Sequence, residues 1–263
     1  MSTRPAAVAG AFYPGEADAL GDTVSSLLAG VAAGPTAEPW IPKALILPHA
    51  GYVYSGPIAA TGYRLLAGAA DRIRRVVLLG PAHRVHLTGM ALPSVDHFEV
   101  PTGSVALDRH LIDELLELPG TLISDQAHAM EHCLEVHLPF LQAVLDQFEL
   151  VPIVVGQCPA AQVAGVLEAA WGGGETIIIV SSDLSHYHAY PTAQEIDAAT
   201  TARILARASD LAGEEACGAS AINGLMLAAR GHDLTVHALD IRNSGDTAGD
   251  RRQVVGYGAF ALS

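Results

Sequence analysis

Cysteine is scarce in this 263-residue chain: Cys133, Cys158 and Cys217 are too few and too scattered for a disulfide framework, and an odd count leaves a free thiol. Such usage fits a reducing cytoplasm. Basic residues are half as many as acidic ones, 14 against 28, giving a formal net charge of −14. That balance argues against nucleic acid and against an anionic membrane surface, since both select basic proteins. Long apolar runs are missing as well. No segment approaches the roughly 18 apolar residues of a membrane-spanning helix, and MSTRPAAVAGAFYPG lacks the continuous apolar stretch of a secretion signal. A cytoplasmic protein without anchor or address is expected. Charge of either sign is thin, at 16% against 50% apolar residues, which excludes a disordered or coiled-coil chain and supplies a sizeable core. The length permits one large α/β domain or two small ones, and the composition favours a single domain over 1–263.

Short runs of branched aliphatics recur along the chain: KALILPH (43–49), RVVLLG (75–80), ELVPIVVG (149–156), TIIIVSSD (176–183) and LTVHALDI (234–241). They read as buried strands. Between them, apolar residues at helical spacing predict helices over 57–69, 108–117, 135–147, 159–171 and 192–208, with Asp108 as an N-cap, and 219–230 reads as helical too. Strands alternating with helices imply crossover units and a central, mainly parallel mixed sheet flanked by helices. The terminal QVVGYGAFALS alternates with small residues and is expected to pair near a sheet edge. VAAGPTAEPWIP (31–42) reads as a connector and RNSGDTAGDRR (242–252) as a mobile loop. There is no internal repeat.

Ligands of open α/β sheets bind outside the carboxyl ends of the strands. Reading the strands to their ends gives LPHAG with His49, GPAH with His83, and SSDLSH with Asp183 and His186. A single strand-end histidine among twelve would be an ordinary structural or surface residue. Three at equivalent topological places point to a site, and imidazole suits Fe, Cu, Zn or Ni better than Mg or Ca.

The run Glu131-His132-Cys133-Leu134-Glu135-Val136-His137 adds candidates. If it opens the helix to residue 147, Glu131 and Glu135 share one face, as do Cys133 and His137. It does not match the zinc-protease H-E-x-x-H, because its two histidines fall off a common face. It reads either as a polar helix start with carboxylates near the positive end of the dipole, or as support for a metal site. Cys217 precedes a predicted helix whose dipole would favour its thiolate, yet a small buried core residue is the commoner fate of a free cysteine, and spacing alone favours that fate. Ser182 and Ser185 lie near His186, but no G-x-S-x-G elbow accompanies them. Gly51, Tyr52, Tyr54, Ser55 and Gly56 form a Gly/aromatic loop that is not a dinucleotide fingerprint and can wall a pocket.

Taken together and in order, AGAFYPG, LPHAGYVYSG, LLGPAHRV, EHCLEVHLPFLQ, VPIVVG, SSDLSH and ACGASAI resemble the Memo family over almost the whole chain. Its members include a eukaryotic motility mediator and the bacterial AmmeMemoRadiSam system protein B. The resemblance implies the fold of class III extradiol dioxygenases, which hold non-haem Fe(II) on two histidines and a carboxylate. It implies metal ligands at His49, His83 and Cys217, with Glu214 or Glu215 as an alternative carboxylate. His186 would stand where ring-cleaving enzymes keep a catalytic base, with Asp183 orienting it, and His132, Glu135, His137 and Tyr54 would be further pocket members. A thiolate ligand admits Cu and Zn as well as Fe(II). Three functions follow: a redox or oxygen-related metal-binding protein, a dioxygenase acting on a small aromatic substrate, or a binding module with a vestigial metal. For the last, the family name suggests AMMECR1-like or radical-SAM partner proteins.

Overall fold

The computed structural model describes residues 2–31 and 40–263, so most of the expected connector at 31–42 lies outside the described residues. The chain opens with strand β1 (Thr3–Arg4), helix α1 (Ala17–Ala29), β2 (Ala44–Leu47), α2 (Tyr52–Arg64) and β3 (Arg75–Pro81). Four short strands and two short helices follow: β4 (Met90–Leu92), β5 (His97–Val100), β6 (Gly103–Ala106), α3 (Arg109–Leu115), β7 (Thr121–Ile123) and α4 (Asp125–Ala129). Then come α5 (Leu138–Val144), β8 (Glu149–Val155), α6 (Ala160–Ala169), β9 (Thr176–Ser181), β10 (His186–His188), α7 (Tyr190–Leu205), α8 (Ala219–Gly231), β11 (Val236–Asn243) and β12 (Val254–Leu262).

Nine strands form one mixed sheet in the order β10-β12-β2-β9-β3-β8-β4-β7, with β11 also paired to β12. Its centre, β2-β9-β3-β8, is parallel throughout, while β8 to β4 and β2 to β12 are antiparallel. The expected fold class therefore holds, as a parallel centre with antiparallel flanks. Its physical signature lies in β3, where Val76, Val77, Leu78 and Leu79 are all inaccessible to solvent. Successive strand residues face opposite sides, so both faces of the sheet are covered. Helix α2 lies on β2, β11 and β12 with α1 and α5 against it; α8 packs on β3, β9 and α6. Burying each such aliphatic side chain contributes about 1.5–3 kcal/mol. A second small sheet joins β1, β5 and β6.

One expectation holds and two are corrected. As expected of a strand near an edge, β12 lies one strand in, between β2 on one side and the edge strands β10 and β11 on the other, and it is buried along nearly its whole length. Its small residues reflect close packing: a Cβ on Gly256 would meet the carboxylate of Asp197 on α7. The Gly/aromatic stretch after β2 is no loop, since Tyr52 to Ser55 form the first turn of α2 after Gly51. The supposed mobile loop at 242–252 begins in β11 and continues into a 3-10 turn, Ser244–Asp246, closed by a capping box on Asn243. Asp108 does cap α3, accepting the backbone N–H of Leu111.

Candidate metal centre

Strands β2, β9 and β3 are immediate neighbours and run the same way. Each projects a functional side chain two residues beyond its last residue: His49 after Leu47, Asp183 after Ser181, His83 after Pro81. Adjacent parallel strands lie about 4.8 Å apart, so three such residues necessarily converge. The third strand thus delivers Asp183 to this place, and His186 stands farther on, at the start of β10. The fourth contributor is His132, in the turn after α4. A Cβ on Gly80 of β3 would strike Cys133 Sγ, so glycine there lets this turn sit directly against the strand.

His49, His83 and His132 bring a ring nitrogen each to within 4.8 Å of one another, a grouping that could hold a metal ion. The ring centroids are 5.1 Å apart for His49 and His83, 4.7 Å for His83 and His132, and 5.4 Å for His49 and His132. His49 is buried and its pKa is held well below the ordinary value, first by burial and then by the neighbouring imidazoles. A neutral ring is the form that binds metal.

Glu131, almost fully buried, organises the turn. Its carboxylate accepts the backbone N–H groups of His83 (2.7 Å), His132 (3.0 Å) and Cys133 (3.2 Å), and the Nδ1–H of His83 (2.9 Å). Although burial pushes upward, the side-chain contacts of His132 and His83 hold its pKa well below the usual range. A carboxylate has no proton to give, so His83 carries its proton on Nδ1 and leaves Nε2 as a lone pair. His132 Nδ1 is buried and lies 3.2 Å from Glu131 Oε1 without the alignment of a hydrogen bond. Glu131, His83 and Cys133 also come within 4.8 Å of one another. The Glu131 oxygens are engaged in the turn, however, and Cys133 donates to Pro81 O, so this trio fixes the loop.

Cys217 precedes α8 and touches His49, its Sγ 3.4 Å from Nε2, while accepting the backbone N–H of Asp183 at 3.3 Å. It falls outside the close group of three donors. Burial foremost, with Asp183 beside it, pushes its thiol up to about 12. Instead of the main cleft, it lines a smaller cavity of about 250 Å³ with Pro81, His86 and Gln157. The carboxylate of Asp183 accepts the His49 N–H at 2.8 Å and approaches His49 Nε2 to 4.0 Å. Its hydrogen bond goes to His49, so the expected orientation of His186 by Asp183 does not appear. Burial raises the Asp183 pKa to about 7, against the pull of the His49 N–H. Glu215 turns away to Arg203, which donates to both its oxygens.

Above the histidines opens a cleft of about 990 Å³ whose wall includes His49, His83, His132, Asp183 and His186. Aromatic side chains ring it: Phe12, Tyr54, Tyr187 and Tyr257. Phe12 packs on His132 with centroids 4.6 Å apart. Tyr187 holds a left-handed backbone at φ 61° where the β10–β12 register slips, and its side chain is 71% exposed. Burial lowers the pKa of His186 below its ordinary value.

Glu135 and His137 do not line the cleft. The premise that put Glu131 and Glu135 on one helix face fails because helical structure begins only at the 3-10 turn Glu135–His137. Glu131 spends its acceptors on the backbone amides of His83, His132 and Cys133, in a non-helical stretch ahead of that turn. Glu135 points the other way and binds Arg4 (2.7 Å), Tyr13 (2.5 Å) and the N–H groups of Ala7 and Val8. His137 is buried behind β9 between Ser181 and Tyr63. Phe12 was missed, and only its place in the motif AGAFYPG, beside Tyr13, could have marked it.

The fold and the histidine cluster define a mixed α/β protein with a cleft able to hold a metal ion at the strand ends. A family model described as Memo-like protein matches residues 4–261, and the chain belongs to that family. Similar relatives named MEMO1 family protein come from Ignicoccus hospitalis (35% identical) and Aquifex aeolicus (34%), each alignment covering 98% of both chains. MEMO1 family protein MTH_45 of Methanothermobacter thermautotrophicus is 34% identical over 98% of this chain and 99% of its own. Among solved structures, an uncharacterized protein, JW3007 of Escherichia coli K12, superposes with a TM-score of 0.52 over 83% of this chain and 99% of its own. At 16% identity that likeness concerns the fold alone. No helix among the described residues is long and apolar enough to cross a membrane.

Proposed function

We propose that this protein binds one transition-metal ion, Fe(II) or Cu, in the strand-end cleft and serves a redox or oxygen-related role. The observation that carries this reading is the convergence of His49, His83 and His132 within 4.8 Å. The donor set fits such an ion. Its imidazoles are soft enough for Fe, Cu or Zn and unsuited to Mg or Ca. One of them, His132, is backed at Nδ1 by the Glu131 carboxylate 3.2 Å away. His49 and His83 would hold the ion, with His132 and Cys217 both in position to compete for the third place. A bound Fe or Cu would supply one-electron chemistry and an open position for a small ligand.

The chain's own contribution is to hold protons at defined atoms. Asp183, with its pKa near 7, can gain or lose a proton close to neutrality beside His49. His186 presents a neutral imidazole to the same cleft, suited to take a proton from a bound phenol. The aromatic ring around the cleft supports the second reading, a dioxygenase-like reaction on a small aromatic substrate, because stacked rings would orient such a guest. Metal analysis of anaerobically purified protein tests the first reading: His49→Ala and His83→Ala should lose the metal that the wild type retains. Equal metal in all three would defeat it. Comparing His132→Ala with Cys217→Ala assigns the third ligand. O₂ uptake with catechols by the Fe(II)-loaded protein, lost in His186→Ala, tests the second.

A further inference from the structure

From His49 at the cleft a connected row of four buried groups runs inward through Ser181 of β9. Ser181 Oγ lies 2.6 Å from His49 Nδ1, 2.8 Å from His137 Nε2 and 2.7 Å from the carbonyl oxygen of Cys133. The other nitrogen of His137, Nδ1, lies 2.6 Å from the hydroxyl of Tyr63. Ser181 and Tyr63 are inaccessible to solvent, and His137 is 1% exposed.

Proton counting fixes every direction in this row. A carbonyl oxygen carries no proton, so the contact with Cys133 consumes the single proton of Ser181. Nothing remains for Ser181 to donate to either imidazole. Both ring nitrogens facing it must therefore be N–H donors, which its two lone pairs can accept. His137, protonated on Nε2 and buried without an acid beside it, has a bare Nδ1, and Tyr63 donates to that atom. His49, protonated on Nδ1, has a bare Nε2. That nitrogen faces the site, 3.4 Å from the thiol of Cys217.

We propose that Ser181, backed by His137 and Tyr63, is a positioning residue that locks His49 as its Nδ1–H tautomer and so aims its lone pair at the metal. The proposal rests on the metal-site reading for its purpose but not for its geometry. A hydroxyl thereby does for His49 what the Glu131 carboxylate does for His83. The difference is that Ser181 brings no charge, and needs His137 and the Cys133 carbonyl to set its own orientation. His137, a residue of the EHCLEVH motif that does not reach the cleft, gains a role from this row.

The test uses the whole chain, labelled with ¹⁵N and stripped of metal, with long-range proton–nitrogen correlation spectra of the imidazoles at neutral pH. Opposite tautomers are expected, His49 protonated on Nδ1 and His137 on Nε2. Finding His49 protonated on Nε2 would overturn the proposal, whether or not the protein binds metal. The second arm is Co(II) titration. Ser181→Ala should weaken binding by about 10- to 100-fold, the range typical of losing a group that orients a metal-bound histidine, and should release the His49 tautomer. Tyr63→Phe keeps the ring stacked on Phe140 and should weaken binding less. An unchanged tautomer and affinity in folded Ser181→Ala would also overturn it. If Ser181→Ala does not fold, the wild-type spectrum and Tyr63→Phe still decide. Absence of Co(II) binding in the wild type would refute the metal reading while leaving the tautomer result to judge the relay.

Discussion

Glu131 and Glu135 stand four residues apart in one motif, both almost wholly buried, and they do different jobs. Glu131 faces the cleft loop and holds His83 and the backbone of its own turn. Glu135 faces the N-terminal segment and gathers Arg4, Tyr13 and two backbone amides, bringing that segment across so that Phe12 can pack on His132. Burial and charge are equal in the two; the partners differ. A buried carboxylate therefore announces a hub, and only its partners tell whether the hub serves chemistry or architecture.

The largest expected effect that would break this division is on the architectural side. Glu135→Ala leaves Arg4 buried without its partner and should cost about 3–5 kcal/mol of stability in chemical denaturation. Metal bound per folded molecule should fall much less. If metal falls as steeply as stability, the two hubs are one.

Acid probes buried imidazoles on both sides. His128, whose carbonyl accepts from Arg4, is buried, and burial lowers its pKa from an ordinary 6.5 to about 4. His137 is lowered, again by burial, to about 3. Both are neutral when folded and take up protons more readily when unfolded. Their contribution is complete above pH 6.5 and is lost as pH falls toward 4 and 3, at up to about 1.4 kcal/mol per pH unit for each. Asp183, raised on folding, contributes with the opposite sign in this window, so the check is the difference between proteins: unfolding free energies measured between pH 7 and 5 should rise less with pH in His128→Gln than in the wild type.

On the chemical side, Glu131→Gln should keep the fold while lowering metal affinity by about 10- to 100-fold, because the neutral amide no longer polarises His83. Titration with Co(II) alongside a melting curve separates the two. The smallest effect belongs to Tyr13→Phe, which removes one hydrogen bond from Glu135 and should cost about 0.5–1.5 kcal/mol with no change in metal binding. A metal defect in that variant would extend the site into the N-terminal segment.

Much of this architecture could be read from residue types. The parallel centre is legible because strands buried on both faces are continuous aliphatic runs, and no other short element needs such a composition. His49, His83 and Asp183 are legible because a residue just past a strand end has a fixed topological place, and for the two histidines a Pro or Gly in the turn fixes it further. The short strands β4 to β7 carry too few residues for any period to show. Helix α1 was not recognised either; its stripe rests on Leu20 and Val24. The prominence of His132 over Cys217 in the close cluster was beyond sequence, because it depends on a turn that Glu131 builds from backbone amides. The face-sharing expected of residues 131 to 137 failed for the same reason.

The left-handed backbone of Tyr187 carries a last consequence. Outside glycine, asparagine and aspartate, that conformation costs on the order of 1 kcal/mol. Tyr187→Gly should leave stability unchanged or raise it, while removing a ring from the cleft mouth. The doorway is thus furnished at the fold's expense, with its aromatic jamb already in place, and a guest meets a threshold it does not have to build.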